Sequence, residues 1–249
     1  MKARLAAVAD LTAGERRRMY ALFDRWFAGV TPERFAADLE AKNWALLLED
    51  EAGALAGFST LHYRLAVDAG EELGVVCSGD TIVDPAAWSA SVLAPAWIAT
   101  VRHLHRDRPG RVVWLLITSG FRTYRFLPVF WREFSPRHDR PTPAADHALM
   151  ERLAGERFGA CYDPASGIVR FAEPQVLRDG LAGIPERRLA DPHVAFFARA
   201  NPGHARGDEL VCLAELSDAN LTAAGRRAVS RGERSGWIGS AAGRGGASG

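Results

Sequence analysis

The sequence predicts an α/β fold in which a mixed sheet is flanked by helices. Two apolar, β-rich runs carry that prediction, one closing at Thr81-Ile82-Val83 and the other spanning Val112 to Ile117. The segment between them is helix-length and rich in Ala, Leu and Trp, which makes a βαβ unit with parallel strands and a helix over one face. A further pair of runs, Trp44 to Leu48 and Leu55 to Leu65, is separated by the turn Glu51-Ala52-Gly53 and predicts an antiparallel neighbour for the unit.

Taken in order, Ala3 to Val8 predicts a first strand, and Thr12 with Glu15 three residues on forms a capping box that opens a helix through Phe27. Met19, Leu22, Phe23, Trp26 and Phe27 recur at helical spacing and make a core-facing stripe. Thr31-Pro32 starts a second helix that runs to about Lys42, with Pro at its first position. Gly57 inside the Leu55 to Leu65 strand points to a bulge or a close backbone approach. His62 and Tyr63 alternate across the same strand and face opposite ways.

After the second strand of the central unit, an aromatic helix is expected through Tyr124 and Trp131, and the three prolines between Pro136 and Pro143 then impose a loop. Thr142 is the expected cap of a helix to Arg157. Short strands follow at Ile168 to Phe171 and Glu209 to Glu215, joined by an irregular connection from Pro174 to about Pro192 and a short helix around Phe196-Phe197. Ser217 is the expected cap of a last helix, and the Gly, Ser and Ala of residues 236–249 bury too little apolar surface to offset ordering entropy, so that stretch is expected to be mobile. The division expected is one domain over 1–216, a helix over 217–235 and a tail.

With 31 basic and 30 acidic residues the net charge is +1, which offers no electrostatic footprint for nucleic acid or an anionic membrane. Three dispersed cysteines make neither a disulfide framework nor a metal-binding CxxC pair. No apolar run approaches the roughly 18 residues that span a bilayer, and the first residues lack a signal-peptide apolar region, so a soluble, cytoplasmic protein is expected.

Ligands collect near the carboxyl ends of parallel strands, which directs attention to Asp80 to Asp84 and to Thr118 to Tyr124. Asp80, beside Gly79, is placed to accept a proton from a substrate; the alternative is that Asp80 and Thr81 end strand pairing and bond local backbone. Arg122 is placed to pair with a phosphate or carboxylate and Tyr124 to donate a proton; the alternative there is a helix start with a solvated arginine. His103 and His105, two apart on a helix, do not converge on a metal.

The order of strand, two helices, antiparallel strands, strand, helix, strand, helix and two late strands resembles the GNAT N-acetyltransferase superfamily over residues 3–135, with 168–171 and 209–215 as the late strands. The stretch Thr123-Tyr124-Arg125-Phe126-Leu127-Pro128-Val129-Phe130 is similar to one in bacterial GNAT-like proteins. The resemblance implies a partly splayed sheet, acetyl-CoA or another acyl-CoA as donor, and an amine or hydroxyl of a small molecule as acceptor. It also implies that backbone N–H groups at Ile82, Val83 and Asp84 polarise the acyl carbonyl.

Two departures accompany it. The superfamily's pyrophosphate loop, Arg/Gln-x-x-Gly-x-Gly/Ala, aligns with Trp88-Ser89-Ala90-Ser91-Val92-Leu93, where Trp88 replaces the basic residue and Ser91 and Leu93 replace glycine, while Ser89 and Ser91 are small enough to let a phosphate approach the backbone. The tyrosine that protonates the leaving thiolate aligns with Phe130, which leaves Tyr124 as the nearest phenol. A non-catalytic module that binds a small ligand or a protein is the second reading, favoured by that loop.

Overall fold

The computed structural model describes residues 1–84, 86–87, 92–108, 110–178 and 181–235. Strand β1 (Lys2–Ala7) leads to helix α1 (Ala13–Trp26), whose Thr12 and Glu15 form the expected reciprocal capping box. The two-residue strand β2 (Phe27–Ala28) precedes α2 (Pro32–Glu40), capped by the Thr31 side chain. Strands β3 (Trp44–Glu49), β4 (Leu55–Asp68) and β5 (Glu71–Val83) follow as hairpins, then α3 (Leu93–His105) and β6 (Arg111–Thr118). Two short helices, α4 (Phe121–Tyr124) and α5 (Phe126–Phe130), replace the single aromatic helix expected from sequence, with Pro128 just inside the start of the second.

The cap of helix α6 (Ala144–Phe158) lies one residue beyond the expected Thr142: Pro143 occupies it, with no side-chain capping bond. The late elements are β7 (Tyr162–Asp163), β8 (Ile168–Val169), β9 (Val176–Leu177), α7 (Pro192–Ala200), β10 (Glu209–Glu215) and α8 (Ala223–Arg234). Thr222, rather than Ser217, caps α8: its hydroxyl accepts from the Gly225 N–H. The small antiparallel pair β2–β9, which ties the 174–192 connection to the end of α1, has no counterpart in the sequence reading, because two-residue strands carry no periodicity.

The main sheet has the order β1-β3-β4-β5-β6-β10-β8-β7. Every pairing is antiparallel except β5 with β6, which agrees with the element order of the GNAT superfamily expected above. Helices α1, α2 and α6 cover one face, packing on Leu47, Phe58, Val75, Leu115 and Val211 among others. Helices α3, α4, α5, α7 and α8 cover the opposite face, over Leu46, Leu61, Val76, Trp114 and Cys212. Strand alternation produces this division, since successive side chains leave opposite faces. It also separates His62, beside Arg157 of α6, from Tyr63, whose hydroxyl meets His105 of α3 at 2.9 Å.

Both readings of Gly57 hold. The β3–β4 register shifts beside it, and a Cβ at that position would lie 2.8 Å from the Ile82 carbonyl oxygen. Helix α8 packs on α3 and α5, with Gly225, Ala228, Val229 and Gly232 buried. Among the described residues no helix is long and apolar enough to cross a membrane.

Candidate functional site

The site is created where the parallel pair separates. Strands β5 and β6 are in register only from Leu73 opposite Arg111 to Val76 opposite Trp114. Beyond that point β5 stays with β4 as far as Val83 opposite Gly57, while β6 stays with β10 as far as Thr118 opposite Leu210. The two halves of the sheet therefore diverge as a wedge. Trp114 stands at its apex: the indole N–H donates to the Ser78 hydroxyl at 2.9 Å, and the ring packs on Trp97 and Trp131 with centroids 4.5 and 5.4 Å away.

A β-bulge decides which side chains line the wedge. Ser59 pairs with Thr81, yet Leu61 pairs with Ser78, so β5 carries one extra residue at Gly79-Asp80. Before the bulge Leu73, Val75 and Cys77 face α6; after it Ile82 faces the α1–α2 side of the same face. Odd positions give way to even ones, and Asp80 is delivered to the face that an unbulged strand would have given to residues 79 and 81. Gly79 is required beside it, because a Cβ there would lie 2.5 Å from both Lys42 Cε and Thr60 Oγ1.

A cavity of about 1240 Å³ opens from the wedge. On the α2–α6 face its walls include Arg34, Asp38, Lys42, Asp80, Gln175 and Glu209; on the opposite face they include Leu93, Pro95, Phe126, Phe130, Arg227 and Arg231. The cavity thus passes through the sheet, with one end where three carboxylates stand among Arg34, Lys42 and Arg157 and another lined by Arg227 and Arg231. Arg34 is committed to Glu173 at 3.0 Å, and Lys42 donates to the Asp38 carbonyl at 3.1 Å.

Glu209, the first residue of β10, was expected from sequence only as the start of a strand, because a strand-terminal glutamate reads as a solvated edge. Here it faces the same side of the sheet as Val211 and Leu213, and therefore the same side as Asp80. Burial, followed by the charges of Asp80 and Asp38, raises its pKa to about 8. Burial also raises Asp80, to about 6, with Lys42 opposing the shift. Asp80 remains partly exposed as a residue, but its Oδ2 is enclosed and has no hydrogen-bond partner, and the Thr60 hydroxyl is similarly orphaned. Local backbone bonding, the alternative considered for Asp80 and Thr81, describes Thr81 alone: its hydroxyl contacts Ser59 at 2.7 Å and the Gly79 carbonyl at 3.0 Å.

The other expected site residues divide. Ile82, Val83 and Arg122 line the cavity. The Asp84 N–H is taken by the Ala56 carbonyl at 2.8 Å, which removes it as a donor to a ligand carbonyl, and alternation directs the Ile82 N–H toward β4 as well. Val83 has the opposite direction, toward the wedge. Arg122 bonds the Leu181 carbonyl at 3.1 Å and so holds the 174–192 connection against the cavity. Ser89 and Ser91 lie outside the described residues.

Tyr124 belongs to the core rather than to the cavity wall. It is completely buried among Phe134, Phe196 and Phe197, and its hydroxyl donates to the Pro136 carbonyl at 3.0 Å. Burial pushes the phenol well above its ordinary range, so it holds its proton firmly. Tyr124→Phe is accordingly expected to lower stability by about 1 kcal/mol and to leave any turnover unchanged, as read from denaturant melts beside an activity assay.

No protein-family model matches the chain, and no curated protein matches it. Among solved structures it is similar to the GNAT family N-acetyltransferase YhbS from Escherichia coli in complex with CoA, at 18% identity and a TM-score of 0.37, over 52% of this chain and 69% of that one. It is also similar to glucosamine-6-phosphate N-acetyltransferase from Arabidopsis thaliana, at 14% identity and a TM-score of 0.34, over 46% of this chain and 82% of that one. A third likeness is to Saccharomyces cerevisiae N-myristoyltransferase with bound myristoyl-CoA, at 11% identity and a TM-score of 0.35, over 74% of this chain and 53% of that one.

Proposed function

We propose that this protein transfers an acyl group from an acyl-CoA thioester to an amine or hydroxyl of a small molecule. The observation that carries the reading is the position of Asp80: the bulge places an enclosed carboxylate with an unpartnered oxygen at the wedge between the two parallel strands, inside a cavity that passes through the sheet. A pKa near 6 leaves Asp80 mostly ionised at neutral pH, yet basic enough to take a proton as an acceptor nucleophile attacks.

The cavity suits the donor in size and in polarity. Its apolar middle, with Leu116, Ile117 and Phe126 among the walls, suits a thioester arm. Arg227 and Arg231, one turn apart on α8, suit the phosphates of coenzyme A at the opposite end from the carboxylates.

Calorimetric titration with acetyl-CoA and longer acyl-CoA thioesters, together with thiol release in the presence of amine and alcohol panels, tests the reading. Saturable binding with thiol release is expected. Binding without release would leave the non-catalytic module, and absence of both would remove the donor. In the same titration, Arg227→Ala with Arg231→Ala is expected to weaken coenzyme A about 10-fold or more and to leave a phosphate-free pantetheine thioester unaffected.

A further inference from the structure

We propose that Glu209 and Asp80 form one acid–base unit that shares a single proton at neutral pH, in which Asp80 takes the proton of the acceptor and Glu209 supplies the proton of the leaving thiolate. The inference rests on the acyl-transfer reading for its chemistry, while the shared proton is tested whatever the activity.

The bulge turns Asp80 onto the face already occupied by Glu209, and both line the same cavity on either side of the end of β6. Two carboxylates enclosed together do not both ionise readily, because each charge raises the cost of the other. The other charged groups that line this cavity are Arg34 and Asp38 of α2, Lys42 in the turn after it, Arg122 of α4, Arg157 of α6, and Arg227 and Arg231 of α8. Arg34 is paired with Glu173, and Asp38 adds a third negative charge to the end that holds Lys42.

A second observation bears on the acid role. None of the protein's four tyrosines, Tyr20, Tyr63, Tyr124 and Tyr162, lines the cavity, so no phenol is placed to protonate a thiolate there. The proposed pair closes the balance without one. As the acceptor nitrogen or oxygen forms its bond to the acyl carbon, its proton passes to Asp80. As the carbon–sulfur bond breaks, the sulfur takes the electron pair and receives the proton of Glu209. Transfer of the new proton from Asp80 to Glu209, directly or through water, restores the starting state with no net gain or loss.

Infrared titration and the pH dependence of melting test the shared proton on the full chain, whatever its activity. Wild-type protein is expected to show a protonated-carboxyl band at neutral pH that disappears as the pH rises past about 8, and that is missing from Glu209→Gln. For a carboxyl whose folded pKa is raised, stability present at low pH is lost as the pH rises through the folded value. The wild-type melting temperature should therefore fall as the pH rises from 4.5 to about 8, and the fall should be reduced in Glu209→Gln. A wild-type spectrum without that band at neutral pH, or identical melting profiles for the two proteins, overturns the shared proton. Given a wild type active with acyl-CoA, turnover should be bell-shaped in pH, and Glu209→Gln should lose about 10-fold or more in kcat with little change in KM. An unchanged kcat and pH profile in that variant overturns the assigned acid role. A wild type that releases no thiol overturns the acid role together with the acyl-transfer reading and leaves the infrared result to decide the shared proton.

Discussion

Asp80→Asn is expected to lower turnover by roughly 10²- to 10⁴-fold, because it removes the base while preserving the shape of the side chain. The same substitution should stabilise the protein at neutral pH. Enclosure raises the Asp80 pKa from 3.8 to about 6, so the folded state binds this proton more tightly than the unfolded chain does. The stability contributed by the protonated carboxyl at low pH is lost as the pH rises from 3.8 through about 6. At pH 7 the variant avoids that loss, on the order of 2–3 kcal/mol. Loss of turnover together with a higher melting temperature at pH 7 is the combined signature. A variant that loses turnover by unfolding would instead melt earlier, and one that keeps full turnover would exclude Asp80 from the chemistry.

Gly232→Val is expected to have the second large effect, on both stability and donor binding. A Cβ at this position would lie 2.6 Å from the Pro95 carbonyl oxygen and 2.7 Å from the Ala99 methyl, and the backbone of α3 cannot move aside cheaply. Overpacking of this kind, with a β-branched residue in a helix, costs roughly 2–3 kcal/mol. Because Gly232 fixes the close approach of α8 to α3, displacement of the helix also moves Arg227 and Arg231 from the cavity. Coenzyme A affinity should fall at temperatures where the variant is still folded. A melt shifted as predicted with affinity unaltered would mean that α8 does not hold the phosphate end.

Much of the fold was legible because the deciding signals are local. The capping box of Thr12 and Glu15, Pro32 at the start of α2, and the apolar run of β6 each act within a few residues. Length and spacing then required a parallel β5–β6 pair, which the structure contains. Gly57 and Gly79 also announced close approach, although their neighbours could not be named from sequence: for one a carbonyl of β5, for the other Lys42 in the turn after α2.

The site was legible only in part. Sequence by itself placed Asp80 at the strand end where a ligand would sit, because β-rich runs and a strand glycine are local patterns. Tertiary structure decided the direction of that carboxylate, since one extra residue in β5 reverses the alternation of every side chain after it. It also decided the fate of Tyr124: the break between α4 and α5 and the packing of α7 enclose its ring, and the hydroxyl is spent on Pro136. Glu209, more than a hundred residues from Asp80 in the chain, lines the same cavity only because β10 pairs beside β6. Periodicity tells which residues share a face of one strand; the pairing of distant strands determines which carboxylates line one cavity.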